Sequence, residues 1–172
     1  MNPKLITLNG PASVGKNTIA ELYKNENSKT VILDIDEIRR TIKNYRENKE
    51  QSYKEACNIA YRKAARNLLE GYDVLIPSTI KKTEVFDNLK RVAIDNNADL
   101  LELTLWTSKE NAIKRAIKRG FRPNSLLKED DLSDKYDVLE KFISSRKNNI
   151  IIESSEDEFE KTYLKFKEGL LK

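Results

Sequence analysis

Residues 10–18, Gly-Pro-Ala-Ser-Val-Gly-Lys-Asn-Thr, combine the residue types that grip a phosphate. The spacing G-x-x-x-x-G-K lets backbone N–H groups wrap an anion and sets a lysine just behind them. An apolar run, residues 4–9, stops at Gly10, and residues 16–25 carry Ile19, Ala20, Leu22 and Tyr23 on one helical side. Strand, loop and helix in that order are the context the motif requires, because the helix N-terminus adds partial positive charge. Gly10, Ala12, Ser13, Val14 and Gly15 are the expected cradle, and Lys16 is the point charge reaching the β- and γ-phosphates. Asn17 stands where Ser or Thr ordinarily meets Mg²⁺, and its amide oxygen can ligate directly or through water. Thr18 is a candidate for the α-phosphate. The alternative is a plain glycine turn, which leaves the lysine and the spacing unexplained.

A second constellation follows the next apolar run, Val31–Leu33. Asp34-Ile-Asp36-Glu-Ile-Arg39 puts carboxylates at the tip of a strand, where ligands of open α/β sheets sit. Asp36 and Arg39 are three apart and share a face if a helix starts here. A carboxylate that orients and deprotonates a hydroxyl, beside a guanidinium that holds a phosphate, suits phosphoryl transfer. The structural alternative makes Asp36 an N-cap and Arg39 a solvated helix charge. Asp34 is open to two roles, one near a metal and one structural.

Third, residues 109–122 hold six basic residues and one acid, with Arg115 and Arg119 one helical turn apart. Both are expected on the side opposite Ile113 and Ile117, which with Ala112 and Ala116 read as inward. Gly120 and Pro123 end the helix and open a polar segment, about residues 119–131, that has the character of a lid. An arginine-bearing lid can close over phosphates, exclude water and neutralise transition-state charge. A solvated basic face is the plainer reading. Beyond it, residues 128–140 carry six acids against two lysines.

Composition narrows the chemistry. The 172 residues contain no histidine, which removes Ser-His-Asp and Cys-His catalysis and histidine-based zinc sites. One cysteine, Cys57, rules out an internal disulfide framework, and its place between Ala56 and Ala60 suits packing. With 32 Lys plus Arg against 28 Asp plus Glu, the net charge of +4 is too mild for a dedicated nucleic-acid binder. No apolar run approaches the roughly 20 residues of a membrane span, and no signal-peptide pattern is seen. The expectation is a cytoplasmic protein of one domain, residues 1–172, with no membrane association.

The elements that position these residues alternate. Further strands are expected at 73–76, 100–106 and 150–152. Helices are expected at 83–96, 108–119 and from 159 onward. A long helix-compatible stretch runs to Glu70, with Gly71 at the C′ position. Strands separated by helices imply parallel βαβ units, and near-continuous Val, Leu and Ile imply strands buried on both faces. The expected fold is a three-layer α/β/α domain of about five parallel strands. Trp106 and Tyr45, Tyr53 and Tyr61 can either line an acceptor site or pack; helical spacing favours packing for Tyr53.

The three constellations together resemble P-loop kinases, most closely the polynucleotide-kinase and zeta-toxin-like group. The resemblance rests on Gly10–Thr18, on Asp36 with Arg39, and on Arg115 with Arg119, and it covers most of residues 4–125. It implies an ATP- and Mg²⁺-dependent kinase whose donor is a nucleoside triphosphate and whose acceptor is a hydroxyl, a DNA or RNA 5′ end first. Asp36 would be the general base, Arg39 the holder of the acceptor's phosphate, and Arg119 the lid arginine; Lys16 and Arg115 would hold the donor, and Asn17 and Asp34 the metal. Other kinases are similar too. The loop resembles that of guanylate and adenylate kinases, Asp34-x-Asp36 the aspartate pair of shikimate kinases, and Ser78-Thr-Ile-Lys-Lys82 the gluconate kinases at the same place. The chain lacks the glycine triplet of the shikimate kinases and the acid that often follows the third strand of polynucleotide kinases. A small-molecule or nucleoside monophosphate acceptor is therefore the alternative, and a nucleotide-binding module without turnover is a third reading. A GTPase is disfavoured, since no D-x-x-G follows the third strand.

Overall fold

The computed structural model describes residues 2–121, 125–155 and 158–171. Five parallel strands form one sheet: β1 (Lys4–Asn9), β2 (Thr30–Ile32), β3 (Asp73–Ile76), β4 (Asp99–Trp106) and β5 (Ile150–Glu153), in the order β2-β3-β1-β4-β5. The register pairs Leu5 with Val74 on one side of β1 and with Leu100 on the other. Among the described residues seven α-helices cover the faces: α1 (Lys16–Glu26), α2 (Ile35–Arg40), α3 (Lys49–Leu69), α4 (Thr83–Asp95), α5 (Lys109–Arg119), α6 (Leu132–Ser144) and α7 (Phe159–Gly169). Among the described residues no helix is long and apolar enough to cross a membrane.

Side chains alternate across a strand, so β1 feeds two cores. Leu5 joins Val74, Ile76, Ala60, Ala64, Leu89 and Phe142 beneath α3, α4 and α6. Ile6 and Leu8 join Leu75, Leu103, Ile19 and Phe166 beneath α1 and α7. The three-layer α/β/α architecture expected from alternating strands and helices is the one observed. Burying a side chain such as Phe166, which is fully enclosed, contributes about 2 kcal/mol of transfer free energy.

Local chemistry sets the ends of the elements. Asp34 caps α2, its Oδ1 accepting from the N–H of Asp36 at 2.8 Å and of Glu37 at 3.3 Å. The cap is thus Asp34, and Asp36 lies inside the first turn. Gly71 ends α3 in a Schellman motif: its N–H bonds Leu68 O, and Tyr72 N–H bonds Asn67 O at 2.9 Å. The φ of +79° at Gly71 is why glycine stands there.

Three details differ from the sequence pattern. The stretch between β2 and Gly71 holds two helices, because residues 41–48 form turns, with Asn44 at φ 57°. Residues 132–144 form α6, whose Leu132, Tyr136, Leu139, Phe142 and Ile143 are buried beneath its charges. Ile117 is 45% exposed, because α5 buries only the small Ala112 and Ala116.

Candidate active site

All five strands run the same way, so their C-terminal ends share one edge, and a cavity of about 660 Å³ opens there. Residues 11–18 line one side of it. The loop is anchored by Asn9, which is almost fully buried: its Oδ1 accepts from Gly10 N–H at 2.8 Å and Ile80 N–H at 3.0 Å, and its Nδ2 donates to Ile80 O at 2.9 Å. Such a satisfied buried amide locks the segment after β3 against the phosphate loop. A Cβ on Gly10 would lie 2.3 Å from Leu105 O, so the loop passes too close to β4 for any other residue.

Within the loop, Lys16 Nζ donates to Gly10 O at 2.9 Å, Pro11 O at 2.8 Å and Thr79 Oγ1 at 3.2 Å. Burial lowers its pKa to about 8, a drop that Asp36 and Asp34 oppose and Arg119 reinforces. Ser13 adopts the left-handed region, φ 63°, and its buried hydroxyl has no hydrogen bond among the described residues. An orphaned donor and a lysine with a lowered pKa, both in the loop that lines the cavity, are what an arriving phosphate would satisfy.

Asp34 and Asn17 meet across the mouth: Asn17 Nδ2 donates to Asp34 Oδ2 at 2.8 Å. The amide and carboxylate oxygens of this pair are hard donors of the kind Mg²⁺ takes, together with substrate phosphates and water. Asp36 also lines the cavity, and its carboxyl is held above the usual carboxylate range by crowding protein and by Asp34, with Lys16, Arg40 and Arg39 pulling the other way. Arg39 is fixed from α3: its Nε donates to Ser52 Oγ at 3.0 Å, a second nitrogen donates to Lys49 O, and its guanidinium lies 5.6 Å over the Tyr53 ring.

The two α5 arginines part company. Arg119 lines the cavity and acts on Lys16. Arg115 instead donates to Ser154 Oγ and Ser154 O, both at 3.1 Å, and Ser154 Oγ donates to Val14 O at 2.9 Å. It therefore meets the phosphate loop through Ser154, from behind. Arg122 and Pro123 of the lid segment lie outside the described residues; Ser125, Leu126 and Leu127 line the cavity.

Several lining residues had no sequence signal that singled them out. Leu132, Lys135, Tyr136 and Leu139 come from α6, whose helical spacing was present beneath its acids. Tyr53 both lines the cavity and packs on the core under α3, and Tyr45 lines the cavity; Trp106 stacks on Tyr136 at 4.9 Å instead. Asn9 and Ser154 carry structural bonds that spacing alone does not reveal.

Residues 5–147 match a family model described as an AAA domain. Among curated proteins no sequence matches the chain significantly. Solved structures share the fold across nearly the whole length. A provisionally assigned kinase of Chloroflexus aurantiacus j-10-fl superposes with a TM-score of 0.74 at 14% identity, covering 98% of this chain and 99% of that one. Shikimate kinase from Bacteroides thetaiotaomicron gives 0.67 at 18% identity, with coverages of 98% and 99%. A gluconokinase from Sinorhizobium meliloti 1021 gives 0.58 at 13%, with 99% and 97%. At these identities the likeness establishes the fold.

Proposed function

Because the chain belongs to the AAA domain family, we propose that it is an ATP-dependent kinase that phosphorylates a hydroxyl of a small molecule. The observation that carries this reading is that Asp36 and Lys16 face one cavity closely enough for each charge to move the other's pKa. A carboxylate for the acceptor hydroxyl thus stands beside the lysine for the donor's phosphates. The two neighbours with named substrates, a gluconokinase and a shikimate kinase, favour a small acceptor over the polynucleotide end implied by the motifs.

In the transfer, the acceptor oxygen forms a bond to the γ-phosphorus as the bond from that phosphorus to the β–γ bridging oxygen breaks. The hydroxyl proton passes to Asp36, and ADP leaves. Residues 10–18 position the donor, Arg119 offsets charge spreading over the γ-oxygens, and Arg39 orients the acceptor. Mg²⁺, held by Asn17 and Asp34, would neutralise phosphate charge. The α6 face and Leu126–Leu127 limit the water that reaches the site.

The test is a screen of ATP consumption and product formation with sugars, sugar acids, nucleosides, nucleoside monophosphates and 5′-hydroxyl oligonucleotides. Transfer to a small acceptor is expected, with Asp36→Asn reducing kcat by about 10²-fold or more while ATP still binds. Transfer confined to oligonucleotide ends would restore the polynucleotide reading. Tight ATP binding without transfer to any acceptor would leave a nucleotide-binding module.

A further inference from the structure

Besides Lys16 and Arg119, the cavity that holds Asp36 is lined by five cations of the α2, post-β3 and α6 segments: Arg39, Arg40, Lys81, Lys82 and Lys135. Most are already engaged. Arg39 bonds Ser52 and Lys49, Arg40 bonds Glu37, and Lys82 bonds Glu50 at 3.4 Å. Lys135 bonds Asp131 at 3.1 Å, which uses one of the three donors of its ammonium group.

Lys81 is different. Among the described residues it makes no hydrogen bond or ion pair, although it is half-buried in the cavity wall. Its backbone cannot drift, because Asn9 grips the preceding residue, Ile80, at both N–H and C=O. Burial and the neighbouring Lys135 push its pKa down, while Asp36 and Asp131 oppose this. A half-desolvated lysine that feels the charge of a second lysine in the wall of the same cavity is stabilised when an anion lies between them. The donor's phosphates have their own cradle in residues 10–18, so this anion belongs to the acceptor.

We propose that Lys81 and Lys135 form an anion subsite for the acceptor, which therefore carries a carboxylate or phosphate group as well as the hydroxyl presented to Asp36. This assignment rests on the kinase reading for the hydroxyl but not for the anion. Lys81 and Lys135 are specificity residues here, and a neutral polyol of the same length lacks the group they hold.

Two measurements separate the assignment from the kinase reading. In the first, the phosphate loop is saturated with Mg²⁺ and a non-hydrolysable ATP analogue, and thermal unfolding is followed while inorganic phosphate, gluconate or neutral sorbitol is added. Saturable stabilisation by an anion and none by sorbitol is expected, with the apparent Kd raised about tenfold or more in Lys81→Gln and in Lys135→Gln. Retained binding of the ATP analogue shows that each variant is folded. An absent anion response in the wild type, or an unchanged one in both variants, overturns the subsite.

In the second, acid and neutral partners are compared as phosphoryl acceptors: gluconate with sorbitol, glycerate with glycerol, ribose 5-phosphate with ribose. Turnover of acids or phosphate esters, with KM rather than kcat raised in Lys81→Gln, supports the subsite and tells carboxylate from phosphate. Turnover of neutral partners alone, or of oligonucleotide ends alone, overturns it and leaves the kinase chemistry standing. Saturable anion binding without transfer to any hydroxyl supports the subsite and overturns the kinase reading.

Discussion

Asn17 donates its amide hydrogen to Asp34 Oδ2 across 2.8 Å, so the first turn of α1 and the cap of α2 meet at the mouth of the cavity. Asp34 serves two ends at once, its other oxygen holding the N–H groups of Asp36 and Glu37. Asn is as good an N-cap as Asp, so Asp34→Asn keeps the cap through Oδ1, removes the charge and replaces the oxygen that accepts from Asn17 with an amide nitrogen. The expected outcome is a Mg²⁺ requirement raised about tenfold or more, with stability to urea changed by less than about 1 kcal/mol. A Mg²⁺ titration of turnover decides it; an unchanged half-saturation point would remove Asp34 from the metal site.

Lys16 ties nucleotide binding to protons. With its pKa near 8 in the free protein, about half of the molecules at pH 8 lack the charge that meets the phosphates. Binding of ATP should then take up about half a proton at pH 8, and affinity should fall toward tenfold per pH unit above it. Calorimetry in buffers of different ionisation enthalpy measures the uptake directly. The stability term has the opposite sign. Between the folded pKa near 8 and the ordinary lysine value of 10.5, the unfolded chain binds more protons, so this residue's contribution to stability rises with pH across that window. Activity should be bell-shaped, with a basic limb from Lys16. The acid limb, from Asp36, should lie above the usual carboxylate range, since crowding and Asp34 hold that carboxyl up.

Arg115 and Ser154 should act as one unit. The guanidinium holds both oxygens of Ser154, and the hydroxyl in turn holds Val14 O in the phosphate loop. Arg115→Ala and Ser154→Ala should each raise the KM for ATP several-fold, and the double variant should cost little more than either alone. The coupling energy expected of residues in such a network is about 1 kcal/mol. Full additivity would show that Arg115 reaches the nucleotide by another route.

Gly10→Ala should be poorly tolerated. The added methyl would sit 2.3 Å from Leu105 O on a backbone at φ +140°, and the obstacle is main chain rather than a movable side chain. A loss of about 3 kcal/mol is expected from overpacking and backbone strain together. Urea denaturation measures it, and a loss below about 1 kcal/mol would mean that β4 yields at this point.

Much of the site was legible because its chemistry is local in sequence. The candidate cradle, residues 10–18, is made of neighbours, and Asp36 and Arg39, three residues apart, line the same cavity. Parallel strands announced themselves as short apolar runs, and Gly71 marked the end of α3 by its position alone. What the pattern hid depends on partners distant in the chain. Asn9 reads as the last residue of a strand until Ile80 is beside it, and Arg115 reads as a lid cation until Ser154 is. Residues 128–140 stand out only by charge, six acids against two lysines, while Leu132, Tyr136 and Leu139 among them form a wall of the cavity. The structural alternative for Asp36 is a cap, but Asp34, two residues earlier, takes the bonds, and Asp36 lines the cavity.

The position of β1 has a consequence for how the chain is made. Its pairing partners lie far downstream: Leu5 meets Val74, and Lys4 meets Asp99. During synthesis the phosphate loop leaves the ribosome early, yet Asn9 has no Ile80 to hold and Gly10 no Leu105 to lie against until β4 has emerged. Nucleotide therefore cannot act as an early folding template for this chain. It can stabilise only a nascent protein in which β3 and β4 have already emerged and paired with β1, and contacts of such long range make that pairing slow.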